Sequence, residues 1–167
     1  MLTAEPDSPM TPYTTVFLDL DDTLYPSNNG VWDAIGRRIS LFMEQRLGIE
    51  ADKIRQIRDS FLRDYGTTLH GLMANFNADP HEYLDFVHDI PLEEMLLPNP
   101  DLRSMLAQLP QRRIVFTNAS LGHVERVIRR RQLHDEIIRA VRKQQNRIAV
   151  VVGVFFELPA FNARTQR

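Results

Sequence analysis

The 167-residue sequence contains no cysteine, only two lysines and no apolar run of membrane-spanning length. Without cysteine, a disulfide framework, a thiolate metal site and a cysteine nucleophile are all excluded. The longest apolar stretch, residues 148–158, is shorter than the roughly 20 residues that a spanning helix needs. Prolines and acids replace an apolar segment at the start, so residues 1–13 are predicted to be a flexible tail and not a signal peptide. We therefore expect a cytoplasmic protein, with the nucleus as an additional compartment.

The charge is close to balanced but unevenly distributed. A formal net charge of −2 predicts neither a nucleic acid nor a membrane as partner. Residues 1–122 carry a net charge of −8, whereas residues 123–167 carry +6. The basic run at residues 129–131 is most simply a solvated helix face, and a nucleic-acid patch is the weaker alternative. With 43% hydrophobic residues, the chain can bury one sizeable core and a small accessory domain, while its oligomeric state stays open.

Three acids follow an apolar run near the amino end. The Val-Phe-Leu run at residues 16–18 predicts a strand buried on both faces of a parallel sheet. Asp19, Asp21 and Asp22 come next, then Thr23. Carboxylates so close repel one another unless they share a cation or a proton, so the pattern indicates a hard metal such as Mg²⁺. Strand alternation would turn Asp19 and Asp21 to one side, one as nucleophile and one as acid/base. The alternative is a helix cap with solvated turn acids.

A helical module separates this run from a second apolar strand. Apolar residues recur at helical spacing in four segments up to residue 87, which predicts an all-helical insert over residues 28–96. The second strand, at residues 114–116, ends in Thr117 and Asn118. A hydroxyl there, with the next helix starting near Ser120, can hold a phosphate through its oxygen and free backbone N–H groups. Taken alone, this Thr-Asn pair is more often a turn or a cap.

Several motifs together resemble one known family. The D-L-D-D-T run at residues 19–23 is similar to the D-x-D-x-T signature of the haloacid dehalogenase-like (HAD) phosphatases. Over residues 14–134 the chain resembles their pyrimidine 5′-nucleotidase-like branch, found in plants and fungi. The further motifs are D-D-T-L-Y-P, Y-G-T-T-L-x-G-L at residues 65–72, F-V-H at 86–88, L-P-N-P-D-L-R at 97–103 and F-T-N-A at 116–119.

The resemblance implies an α/β fold. Residues 14–27 and 97–167 would form a HAD-like Rossmannoid parallel sheet core, and residues 28–96 an inserted all-helical cap over the active site. It implies a Mg²⁺-dependent phosphomonoester hydrolase that acts through an aspartyl-phosphate on substrates such as UMP and CMP.

The resemblance also implies roles for individual residues. Asp19 would be the nucleophile and Asp21 the acid/base, with both at the metal. Substrate or phosphate contacts would come from Thr23, Thr117, Asn118, Thr67 and Thr68. Thr67 and Thr68 follow Gly66, where a helix end and a new helix start explain them equally well. His88 and His123 are interpreted as surface or interface histidines, without a catalytic role.

Two pieces of the family pattern are missing after residue 133. The family uses a Lys beside the phosphate and a further acid pair at a strand end, but Lys53 lies in the insert and Lys143 lacks the expected context. The apolar stretch at residues 148–158 could be a third core strand with Glu157 as a displaced metal ligand. The alternative is a replaced carboxyl-terminal part, from a shifted reading frame or alternative splicing, which leaves the core incomplete.

Three functions stay open on this basis. The chain is an active nucleotidase-like phosphatase, a HAD phosphatase for another small phosphomonoester, or a truncated or frame-altered relative that binds a phosphate compound or a protein without catalysis. A carbon-attacking dehalogenase is disfavoured, because that chemistry needs no acid two residues after the nucleophile.

Overall fold

Three parallel strands form the sheet at the centre of the fold. The computed structural model describes residues 13–135, 137 and 151–152. Strands β1 (Thr15–Leu18), β2 (Arg112–Thr117) and β3 (Val151–Val152) lie in the order β1-β2-β3. Leu18 is paired with Val115, and Thr117 with Val152. Because parallel neighbours need a crossover connection, the chain between β1 and β2 runs back from the carboxyl end of β1 to the amino end of β2. The predicted α/β fold with a parallel sheet is confirmed.

Helices fill the connection between β1 and β2. Residues 19–111 are all described, and none of them forms a strand, as the apolar spacing predicts. The domain boundaries at residues 28 and 96 stay a prediction. Within the described ranges, no helix is long and apolar enough to cross a bilayer. After a short 3₁₀ turn (Ser27–Asn29), the helices are α1 (Val31–Gln45), α2 (Ala51–Tyr65), α3 (Thr68–Phe76), α4 (Pro80–Val87), α5 (Leu92–Met95), α6 (Pro100–Gln108) and, after β2, α7 (Leu121–Arg130).

Side-chain caps fix where these helices start. Thr67, Asp79, Asn99 and Ser120 each accept a hydrogen bond from a backbone N–H in the first turn of the helix that follows. Such a cap contributes about 1 kcal/mol, because it satisfies a donor that has no partner inside the helix. Gly66 ends α2 with φ of +77°, a left-handed conformation that favours glycine.

One face of the sheet is less covered than the sequence predicts. Phe17 is 63% exposed, and Val16 and Leu18 are only half-buried, so the prediction that β1 is buried on both faces is wrong. Phe17 meets Phe116 edge to face, with ring centroids 6.5 Å apart. An apolar run reports the character of the side chains, whereas burial depends on which distant element packs over them.

A buried arginine joins the two connections of the helical insert. Arg131 is 7% exposed, and its Nε donates to the carbonyl of Leu24 at 3.0 Å. Its Nη1 donates to the carbonyl of Leu97 at 2.7 Å. Leu24 lies on the outgoing connection and Leu97 on the returning one. A single guanidinium therefore holds both connections at the end of α7.

Two further arginines of α7 bind the returning segment. Arg126 donates to the carbonyls of His88 and Ile90 and makes a bidentate pair with the carboxylate of Glu93. Arg130 donates to the carbonyl of Leu96 at 2.6 Å. The prediction of a solvated basic face at residues 129–131 is thus wrong for Arg130 and Arg131, because both donate hydrogen bonds to backbone carbonyls of the two connections. Arg129 alone is exposed.

We expect Arg131→Leu to destabilise the fold by about 2–4 kcal/mol, because it removes two charged hydrogen bonds and leaves two carbonyls without a donor. Arg129→Leu is the matched control, because Arg129 lies two residues earlier and is exposed. This substitution should change the free energy of unfolding by less than about 0.5 kcal/mol. Urea unfolding followed by circular dichroism measures both. Equal effects of the two substitutions would contradict the role of Arg131.

Candidate active site

The acid motif lies on a helical turn and not on an extended strand. Strand β1 ends at Leu18, and the N–H of Leu24 donates to the carbonyl of Leu20 at 2.9 Å. Strand alternation therefore stops before Asp21, and the argument that placed Asp19 and Asp21 on one side by alternation is wrong. Asp22 has φ of +58°, a left-handed conformation that Asp and Asn tolerate better than most residues. The structure leaves the side chains of Asp19, Asp22 and Thr23 exposed.

Asp21 is held by two buried side chains. The hydroxyl of Tyr25 donates to Asp21 Oδ1, and His123 Nε2 lies 3.4 Å from the same oxygen. Burial would raise the pKa of Asp21, but the contacts with His123 and Tyr25 outweigh it, and the pKa is lowered below 3.8. Burial and the charge of Asp21 also raise the pKa of Tyr25 well above 10, so its hydroxyl stays a donor. Asp21 is therefore ionised at neutral pH in the free protein.

His123 belongs to a stacked pair with His88. Their ring centroids are 4.3 Å apart with an interplanar angle of 26°. Ser120 Oγ accepts from the N–H of His123 and lies 3.1 Å from His88 Nδ1, to which its own proton can be donated. Burial and the neighbouring His123 lower the pKa of His88 to about 3, so His88 is neutral at physiological pH.

His88 and His123 are predicted to be surface or interface histidines, but both are buried, and His123 lies against Asp21. His123 is 1% exposed, and within the described part of the chain neither ring nitrogen has a well-formed hydrogen bond. The available signal was its position three residues after the helix cap Ser120, on the first turn that follows a strand end. Tyr25, inside the D-D-T-L-Y-P motif, was likewise missed as the partner of Asp21.

Thr117 ends β2 beside the end of β1. It is 3% exposed, and its Oγ1 accepts from the N–H of Ala119 at 3.1 Å. The Thr-Asn pair thus forms a turn, which was the alternative to phosphate binding, and Ser120 is the cap of α7. The hydroxyl of Thr117 keeps its proton for donation, so phosphate binding stays a prediction. Asn118 is exposed next to it.

A cleft of about 390 Å³ lies between the strand ends and the helical insert. Four of the predicted site residues line it: Asp21, Asn118, Thr67 and Thr68. Asp19, Thr23 and Thr117 do not. Thr67 caps α3, so the capping interpretation is confirmed, and the same residue faces the cleft. The remaining wall contains Gly66, Ala119, Trp32, Ile35, Ile39, Arg58, Leu62, Leu69, His70, Tyr83, Leu84, Val87 and His88.

The oxygen donors at the acid motif fit a hard cation that keeps part of its water. The carboxylate of Asp19 makes no hydrogen bond or ion pair within the described ranges, whereas that of Asp21 is engaged by Tyr25 and His123. The main-chain carbonyl of Asp21 is then the more available donor. Mg²⁺ is often bound through one or two protein oxygens and several waters. Across residues 13–135 and 137, no three His, Asp or Glu side chains group as metal ligands, and Lys143 and Glu157 lie outside the described residues.

Comparison with known proteins gives the family of the chain. A family model described as haloacid dehalogenase-like hydrolase matches residues 13–150. The chain belongs to the haloacid dehalogenase-like hydrolase family. This confirms the resemblance to that family, whose members are hydrolases by description.

A curated member of similar sequence is Phosphate metabolism protein 8 of Saccharomyces cerevisiae. It is 29% identical over 122 residues, which cover 68% of this haloacid dehalogenase-like chain and 38% of the yeast protein. The chain thus matches well under half of the length of that relative.

We expect Tyr25→Phe to raise the pKa of Asp21, because the hydrogen bond that favours its ionised form is lost. The folded-state pKa of Asp21 is lowered, so this bond adds stability above the unfolded pKa of about 3.8, and the addition is lost as the pH falls through the folded pKa. At pH 7 the substitution should cost about 1–3 kcal/mol, as for other bonds to charged groups.

Carbon-13 NMR titration of the labelled Asp carboxyl groups measures the pKa, with Asp21→Asn to assign the signal. Tyr65→Phe is the matched control, because the exposed hydroxyl of Tyr65 contacts Asn75 at 3.0 Å and not Asp21. An Asp21 titration that Tyr25→Phe leaves unchanged would contradict the assigned contact.

Proposed function

We propose that this chain is a Mg²⁺-dependent phosphomonoester hydrolase that forms an aspartyl-phosphate on Asp19, with nucleoside monophosphates such as UMP and CMP among its substrates. The main support is the parallel pairing of β1 with β2, because it brings the exposed Asp19 and the buried Thr117 to the same edge of the sheet, at the ends of neighbouring strands. The cleft lined by Asp21 and the helical insert adds room for a substrate. The name of the yeast relative, a phosphate metabolism protein, agrees with a phosphate compound as substrate.

Asp19 is the proposed nucleophile because its carboxylate is exposed and has no hydrogen-bond or ion-pair partner in the described part of the chain. One of its oxygens would attack phosphorus, and the bond between phosphorus and the leaving oxygen would break. Thr117 and the N–H groups that follow it would donate to the non-bridging oxygens. When Mg²⁺ is bound by the Asp19 carboxylate and the Asp21 carbonyl, it supplies positive charge that offsets that of the phosphate.

Asp21 is the proposed acid/base. It would give a proton to the leaving oxygen and later take one from the water that attacks the aspartyl-phosphate. In the free protein Tyr25 and His123 favour its ionised form, which suits the second step and not the first. A substrate phosphate nearby adds negative charge and raises the pKa of Asp21. Substrate binding itself would therefore prepare Asp21 as an acid.

Substrate selection is proposed to lie in the insert. Thr67 and Thr68 face the cleft from the start of α3, across from Asn118 of the strand-end loop. Thr23 is exposed beside Asp21 and can contact a bound phosphate. A different small phosphomonoester on the same catalytic groups is the nearest alternative.

A second candidate is a relative that binds a phosphate compound or a protein without catalysis. It is favoured by the charges at the described site, where no lysine and no second acid pair lie beside Asp19. Lys53 is bound to Glu50 on α2, with Nζ and Oε2 2.6 Å apart. Losing one group that stabilises transition-state charge costs about 10²–10³ in rate, so we expect this chain to be a slow enzyme.

The test of the proposed function is phosphate release from p-nitrophenyl phosphate, UMP and CMP with Mg²⁺. We expect slow turnover that Asp19→Asn lowers by more than about 10³-fold, because the nucleophile is lost. Asp22→Asn is the matched control, since Asn also tolerates the left-handed backbone at that position. No Asp19-dependent release from any of the three would favour the non-catalytic candidate.

Mg²⁺ binding can be measured separately from turnover. Isothermal titration should detect a Mg²⁺ site that Asp19→Asn weakens at least about 10-fold, because one charged oxygen ligand becomes a neutral one. Asp22→Asn should leave the affinity unchanged, since its carboxylate is not among the proposed ligands. Equal binding by the Asp19→Asn variant would reject Asp19 as a metal ligand.

A further inference from the structure

The only tryptophan of the chain lies on the wall of the cleft. Trp32 stands in the first turn of α1 and is 43% exposed. The buried Ile35 and the half-buried Ile39, on the same face of this helix, also line the cleft. Residues three, four and seven apart share one face of a helix, so these side chains form one apolar wall. A tryptophan left partly open in a cleft offers a flat surface on which a planar ring can stack.

Arg58 of α2 also lines the cleft and contacts α1 one helical turn beyond Trp32. Its Nη1 donates to the carbonyl of Gly36 at 3.0 Å and to Ser40 Oγ at 3.1 Å. Gly36 follows Trp32 by four residues, about 6 Å along the helix axis. A Cβ on Gly36 would lie 3.9 Å from Arg58 Nη2, so the guanidinium sits close to the bare backbone there. Two hydrogen bonds to α1 thus fix the orientation of Arg58, which lines the same cleft as Trp32.

Arg58 has no acidic partner in the described part of the chain. Both of its acceptors are neutral, and its Nε and Nη2 make no hydrogen bond among the described residues. The arginines at positions 38, 46, 63, 103 and 126 each have a carboxylate within 4.0 Å. Asp21 is the one acid among the residues that line the cleft. A half-buried guanidinium that lines a cavity and keeps unused donors fits a ligand that brings acceptor oxygens.

We propose that Trp32 and Arg58 form the subsite for the leaving group of the substrate. A planar ring stacks on Trp32, and Arg58 donates to a carbonyl or other acceptor oxygen carried by that ring. This inference rests on the proposed phosphomonoesterase function and deepens it. The preferred substrates are phosphomonoesters whose leaving group contains such a ring, as in UMP, and a sugar phosphate without a ring base is a poor ligand. Trp32 and Arg58 are then specificity-determining residues.

The position of Trp32 supplies a binding signal that needs no turnover. In an Asp19→Asn background, which keeps the ligand intact, all tryptophan fluorescence reports on the cleft. With Mg²⁺ at a concentration that saturates its weakened site in this variant, we expect UMP to change this fluorescence in a saturable way. Ribose 5-phosphate, measured by its displacement of UMP, should bind at least about 10-fold more weakly, because it lacks the stacked ring.

Substitutions of Arg58 test the polar half of the subsite. Arg58→Met should weaken UMP about 10-fold and leave ribose 5-phosphate unchanged, because only the ring contacts Arg58. Arg58→Lys keeps the charge without the planar fork and should lose most of the same preference. Arg55→Met on the exposed side of α2 is the matched control and should change neither affinity. Thermal unfolding of each variant verifies that it is folded. If Arg58→Met does not fold, the comparison is made with Arg58→Lys.

Each result decides between the subsite and the wider function. Absence of a saturable UMP signal, or an equal loss of affinity for UMP and ribose 5-phosphate in Arg58→Lys, overturns the subsite. UMP binding that depends on Arg58, in a chain that releases no phosphate with Asp19 intact, supports the subsite and rejects the hydrolase. If the chain releases phosphate and substitutions of Arg58 leave its preference for UMP over ribose 5-phosphate unchanged, the subsite is rejected and the hydrolase function stands.

Discussion

The parallel pairing of β1 with β2 is the constraint on which the candidate site depends. Leu18 lies beside Val115, so Asp19 and Thr117 leave neighbouring strands at the same edge, although residues 19–111 separate the two strands. Closing so long a connection has an entropic cost, and the helical segments between the strands offset it by burying their own apolar faces. Phe42, Met43, Leu72 and Leu92 of that connection are all 1% exposed or less. The insert thus forms part of the core and also one wall of the cleft.

Arginines of α7 and of its C-terminal cap hold the helical insert against this helix. Arg131 reaches across 107 positions to the carbonyl of Leu24, and Arg126 and Arg130 fix the returning segment. Carbonyl oxygens and not carboxylates accept most of these bonds, so the contacts are insensitive to the protonation of nearby acids. Since α7 also carries His123 beside Asp21, one helix sets both the position of the insert and the surroundings of the proposed acid/base.

Sequence patterns predicted the features of this fold that local forces determine. The apolar run before Asp19, the caps at Thr67 and Ser120 and the strand that ends at Thr117 all follow from short-range periodicity and hydrogen bonding. The patterns failed where distant residues decide. The exposure of Phe17, the burial of Arg131 and the contact of Tyr25 and His123 with Asp21 depend on which helix packs against which strand end, and no spacing within one segment reports that.

The surroundings of Asp21 also bear on how a slow enzyme and a binding relative would differ. Tyr25 and His123 stabilise the ionised carboxylate, so in the empty site Asp21 repels an incoming phosphate unless a cation or a proton is added. A purely phosphate-binding protein gains nothing from this arrangement, because an ionised carboxylate beside the ligand weakens its affinity. An acid/base must be ionised before it can take a proton from water, and these contacts keep Asp21 ionised, although its lowered pKa makes it a weaker base. The ionised Asp21 therefore argues against a simple phosphate-binding site, whereas the charge that is lacking beside Asp19 limits the rate of the catalytic candidate.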